Sequence, residues 1–147
     1  MQSVTERDLA ENTGRVLDSV HHGEPTLVER HGEAEAAIVD ITDYRLLRAA
    51  ARYQSNPPPI GDLDTGLTDE RVATITDLQQ RYDLVIGYFL AGELSLSRAA
   101  ALLGTYYLDL RLRLTQLGLP THQGPATIEE ALEEIRTAEA WVAARQP

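Results

Sequence analysis

Three consecutive prolines, Pro57-Pro58-Pro59, sit inside "QSNPPPIGDLDTG", residues 54–66. Proline has no backbone N–H and a fixed φ, so neither a helix nor an inner strand can run through the triplet. Three in a row favour an extended, semi-rigid polyproline segment. The two glycines and few apolar residues around them bury little. The chain therefore reads as two modules joined by a linker: 1–53, the linker 54–66, and 67–147. At 147 residues it can hold one domain or two small ones.

Charge decides which partners each module can take. The formal net charge is −10, and all 13 basic residues are Arg. Residues 1–50 hold 5 Arg against 10 acids, and residues 121–147 hold 2 against 5. No segment is a basic patch, so any DNA contact must come from a few placed arginines, whereas a partner with a basic surface is favoured. The absence of cysteine excludes disulfides and thiolate metal sites and fits a reducing compartment. Glu6, Arg7 and Asp8 stand where a signal peptide would need its apolar core. No apolar run approaches the roughly 20 residues of a membrane span. A cytoplasmic protein is expected.

The first module reads β-α-β-β-α. Met1–Val4 can form a strand, and Thr5 can cap a helix whose first turn carries Glu6 and Asp8, where acids oppose the helix dipole. Leu9, Thr13, Val16, Leu17 and Val20 then share a helical face, predicting one helix up to the stop in "HHGEP" at Gly23 and Pro25. "LVERHGEAEAAIVDI", residues 27–41, predicts a hairpin turning at His31-Gly32. Thr42 can cap a second helix, with Tyr44, Leu47 and Ala51 on one face, Arg48 at its edge and Leu46 pointing away. Two or three strands and one covering helix bury little, so dimerisation is expected, with Leu46 free to join it.

These residues carry a resemblance. "VTERDLAENTGRVLDSVHHGEPTLVERHGEAEAAIVDITDYRLL" resembles the Phd/YefM (prevent-host-death) antitoxin domain in its N-terminal strand, Asn12 within the helix, Val16-Leu17 and Val20 after it, the "GEP" entry to strand two, Arg30, Gly32 and Ala36 in the hairpin, and "IVDITDY". It covers about 50 residues. The resemblance implies a dimerising α+β domain that binds operator DNA with its first helix and hairpin, and a C-terminal segment that neutralises a toxin. The DNA-binding residues it implies are Thr5, Arg7, Asn12, Arg15, Arg30 and His31. Members often carry a basic residue two positions before the helix asparagine. Here that position is Ala10, and Arg7 lies one turn earlier on the same face. On the residues alone, Arg30 reads first as a turn residue paired with Glu29 or Glu33; only with the resemblance does it serve equally as a guanidinium for phosphate or guanine.

The second module reads as all-helical. Thr68 caps a helix in which Val72, Ile75, Leu78, Tyr82, Val85 or Ile86, and Phe89 form one long stripe, broken at Gly92. Ser95 caps "LSRAAALLG", Gly104 ends it, and "YYLDLRLRLTQLG" follows up to Gly118 and Pro120. A short helix, a glycine turn and a second helix make a helix-turn-helix pattern or a plain helical corner. Ala100 and Gly104 stand where the two helices would cross closely, and Leu110 and Leu114 would pack back on the core. "YFLAGELSLSRAAALLGTYYLDLRLRLTQLGLP" is similar to a small prokaryotic helical family with the pattern G-x-L-S-L-x-x-A-A-x-L-x-G, whose members are often encoded beside PIN-domain ribonuclease toxins. The match covers about residues 67–125. Tyr106-Tyr107 departs from the small polar residues usual there.

The tail "ATIEEALEEIRTAEAWVAARQP" predicts an amphipathic helix with a Thr127–Glu130 capping box. Ile128, Leu132, Ile135 and Val142 line one face, Glu139 interrupts it, and Trp141 points away from its centre. The stripe either folds back on its own bundle or enters a partner's groove. As toxin-binding candidates it offers Ile128, Leu132, Ile135, Trp141 and Val142. His21-His22 point apart on a helix, so no metal is expected, and no nucleophile–base pair or phosphate loop signals an enzyme or a cofactor. The expectation is an antitoxin that binds a PIN-domain-type ribonuclease and operator DNA as a homodimer. The alternatives are a stand-alone DNA-binding regulator, or a toxin-binding protein that has lost DNA binding.

Overall fold

The computed structural model describes residues 1–57, 67–121 and 128–145, the side chains of 128–131, 133–134 and 145 excepted. The proline-rich linker from Pro58 on, the Thr127–Glu130 capping box and the side chain of Ile128 lie outside the described residues. The fold is α+β: a three-stranded sheet and, for the rest, helices. It divides into two compact units, Met1–Tyr44 and Arg45–Pro147. That boundary falls inside a helix rather than after residue 53.

In the first unit, β1 (Gln2–Thr5) pairs in parallel with β2 (Thr26–Arg30), which pairs antiparallel with β3 (Glu33–Ile38). Two parallel strands need a crossover, and α1 (Glu6–Glu11) and α2 (Thr13–His21) supply it. Thr5 is the N-cap: its hydroxyl accepts from the Asp8 N–H, and the Asp8 carboxylate accepts from the Thr5 N–H. The expected continuous helix is broken at Asn12, whose side chain donates to the Asp8 carbonyl while Thr13 Oγ1 donates to the Leu9 carbonyl at 2.7 Å. Such short polar side chains compete with the helix ladder. Gly23, at φ 97°, ends α2 as expected. In the hairpin, His31 and Gly32 have φ of 55° and 80°, the two left-handed residues of a type I′ turn. Register skips Glu35: Val28 faces Ala36 and Glu29 faces Ala34, so Glu35 is the extra residue of a β-bulge.

The core of this unit is thin. Val16 and Val20 are its buried apolar side chains, whereas Leu17 is 53 % exposed, and Ile41 and Tyr44 are 57 % and 44 % exposed. Helix α3 (Ile41–Ser55) starts from Asp40, not Thr42: Asp40 Oδ1 accepts from the Thr42 N–H at 2.8 Å, and its carbonyl accepts from Tyr44 N–H.

Leu46 corrects the expected face of α3. It is fully buried, together with Ala49, in the core of the second unit, while Leu47 is 40 % exposed and Ala51 is exposed. Around them stand α4 (Asp69–Ala73), α5 (Leu78–Leu90), α6 (Leu96–Leu103) and α7 (Tyr107–Gln116). The predicted long helix from Thr68 is two helices. Thr68 caps the first, and Asp77 restarts the chain by accepting from the Gln80 N–H at 2.9 Å. Across the break, Arg81 donates to the Ile75 carbonyl, and Leu78 comes to lie at the surface. Ser95 caps α6, and Gly104 ends it at φ 68°. Leu110 and Leu114 return to the core as predicted. Gly104, however, does not serve a close helix crossing: a Cβ there would meet nothing within 4 Å. Its left-handed backbone alone accounts for it.

Candidate nucleic-acid interface and partner-binding helix

Parallel pairing of β1 with β2, in which Thr5 faces Glu29, sets the end of β2 beside the start of α1. Thr5, Arg7, Arg30 and His31 thereby line one open concavity, together with Glu6 and Glu29. Asn12 and Arg15 line a separate one with Gln2 and Asp8. The six DNA-binding candidates thus form two groups. Within the first, each arginine already has an acid. Arg30 Nε is paired with Glu6 and lies 3.5 Å from Glu35, and Arg7 Nε lies 3.3 Å from Glu11 one turn on. The predicted partners of Arg30, Glu29 and Glu33, are not the ones it meets. Thr5 and Asn12 are engaged in capping, as described above. Among the described residues Arg15 has no ion pair.

These pairs are exposed: Arg30, Glu6 and Glu35 keep 54 %, 56 % and 50 % of their side-chain surface. Exposed pairs contribute little to stability and exchange readily. A phosphate can therefore compete for Arg30, but it must do so against two carboxylates. Sequence reading missed Glu6 and Glu35. Glu6 lies 24 positions from Arg30, and Glu35 reaches it only through the bulge, so neither leaves a local signal.

The second site is on α8 (Ile128–Arg145). Its two faces have different fates. Thr137, Ala138 and Trp141 are half-buried, and Ser97 Oγ donates to Thr137 Oγ1 at 3.4 Å, tying the helix to α6. Trp141 also borders a groove with Leu108, Arg111, Leu112 and Thr115 of α7. The predicted stripe lies outward: Leu132, Ile135 and Val142 are 53 %, 56 % and 49 % exposed. Leu112, 56 % exposed beside Trp141, was not singled out from the sequence. Its place in "LDLRLRL" is the signal: Leu110 and Leu114 take the buried face, and Leu112 cannot share it.

Among the described residues no three His, Asp or Glu gather as a metal site, and no helix is long and apolar enough to cross a membrane. Compared with models of protein families, with curated proteins and with solved structures, the chain matches none.

Proposed function

We propose that the chain is an antitoxin that neutralises a ribonuclease toxin of PIN-domain type and acts on its own operator as a homodimer. The observation that carries this is the division of labour on α8. One face is anchored through Thr137, Ala138 and Trp141, and the other leaves Leu132, Ile135 and Val142 in water. A helix that already has its own packing surface needs no second apolar stripe for stability. Leu132 and Ile135 stand at i and i+3 with Val142 two turns further on, a face that suits a helix laid into a groove, with Glu139 at i+7 interrupting it. Acids in the tail sequence, five against two arginines, suit a basic toxin and speed its encounter. The thin core of Met1–Tyr44 supports dimerisation, and Leu17 and Ile41, rather than Leu46, are exposed apolar side chains that could take part in it.

The test is co-purification of the full chain with the product of the adjacent gene. Leu132→Asp with Ile135→Asp should abolish capture and toxin neutralisation. Because both side chains are exposed, far-UV circular dichroism and melting temperature should stay near wild type. A well-folded double variant that still neutralises the toxin refutes this interface.

A second reading is favoured by a specific observation. The pairing of Arg30 with Glu6 and Glu35, and of Arg7 with Glu11, fits a toxin-binding protein that has given up operator DNA. An operator gel shift separates the two.

A further inference from the structure

Within the second unit, the C-terminal end of α3, the α4–α5 connection and one side of α5 enclose a recess of about 500 Å³. That is the size range of small-molecule sites. Its charge is unusual for this chain. The protein is strongly acidic, yet among the described residues the charged side chains lining the recess are Arg52 and Arg71 against Asp83. Asp83 is committed: it accepts from Gln79 Nε2 at 2.9 Å, and Arg52 Nε lies 4.0 Å from its other oxygen. Arg71 has no carboxylate partner among the described residues. It is held instead by Tyr88, with its Cζ 6.0 Å from the ring centroid and Nη1 3.5 Å from the phenol oxygen.

A guanidinium resting on a buried aromatic ring is already oriented, so it loses little freedom when it binds an anion. Only Arg71 is oriented in this way; Arg52, exposed and 4.0 Å from Asp83, adds a second guanidinium on the same recess, and two such groups match a phosphate or carboxylate. The remaining wall sets what carries the anion. Tyr53, Ile75 and Leu84 give it apolar surface, and Asn56 and Gln80 add amides. Gly87 lines the recess from the interior of α5, where glycine is the least favourable helix residue short of proline; there it leaves the wall without a Cβ. Inorganic phosphate, a few water volumes in size, would leave most of this space unfilled.

We propose that the recess binds a phosphate monoester carried on a partly apolar body that can also meet amide groups, a chemistry that a mononucleotide offers. This site is separate from α8 and from the hairpin, so its test is independent of the antitoxin reading. Isothermal titration of the full chain with adenosine 5′-monophosphate should saturate. Adenosine and inorganic phosphate, each lacking half of the ligand, should bind at least tenfold more weakly. Arg71→Gln and Arg52→Gln are surface changes and should leave the melting temperature near wild type while weakening the nucleotide at least tenfold. Asp83→Asn removes the opposing charge and should tighten binding severalfold. The proposal is overturned if the nucleotide does not saturate by millimolar concentration, if adenosine binds as well as its phosphate, or if both arginine variants bind like wild type.

Discussion

Replacing Glu6 and Glu35 by Gln should convert the hairpin concavity from a self-neutralised site into an open phosphate site. Both acids contact the Nε side of Arg30, so a phosphate taken by the far edge of the same guanidinium is placed on the order of 6 Å from each carboxylate. At that distance in water the repulsion is about 0.7 kcal/mol per acid. Two acids together oppose binding by about 1.4 kcal/mol, or roughly tenfold in affinity. Salt cuts this: with a Debye length of about 8 Å at 0.15 M, the advantage of the double variant should shrink to about threefold. Fluorescence anisotropy with a labelled operator duplex, across a salt series, reads both numbers. Adding Arg30→Ala to the double variant should remove the gain and lower the salt slope by about one counterion. If wild type binds operator and the double variant binds no tighter at low salt, the acids do not compete for Arg30 and the reasoning fails. If neither binds, it is the DNA-binding reading itself that falls.

Leu46→Ala should cost about 2–5 kcal/mol of stability in urea unfolding of the second unit, since the side chain is fully buried there; a near-neutral result would return α3 to the first module. For the same reason a fragment starting at Arg45 should fold, whereas one starting at Leu67 lacks Leu46 and Ala49 and should melt lower. Gly104→Ala should cost about 1–2 kcal/mol from left-handed strain alone and Gly104→Asn less, by thermal denaturation; a much larger loss would mean that α6 and α7 do cross closely there. Thr5→Ala should destabilise the first unit by about 1 kcal/mol through loss of its capping box, measured by hydrogen exchange in α1.

What the sequence determined by itself is local. The caps at Thr5, Thr68 and Ser95, and the stops at Gly23, Gly92, Gly104 and Gly118, were legible because a hydroxyl three residues before an N–H, or a glycine at positive φ, acts within one turn of chain. The His31-Gly32 turn was legible for the same reason. Periodicity was a weaker guide. Apolar spacing ran on across Asn12, whose side chain closes the end of α1, and across Thr74–Asp77, where Asp77 begins the next helix. Only the tertiary structure decided which face of an amphipathic element is buried. Leu46 and Leu47 are adjacent and alike, and what separates them is that the second unit's core closes over one of them. Likewise Arg30 is a cation in any reading, but Glu6 and Glu35 become its partners only once β1 and β2 pair and the bulge turns Glu35 toward it. Contacts between residues far apart in the chain depend on how the elements pack, and no pattern within a short window encodes them.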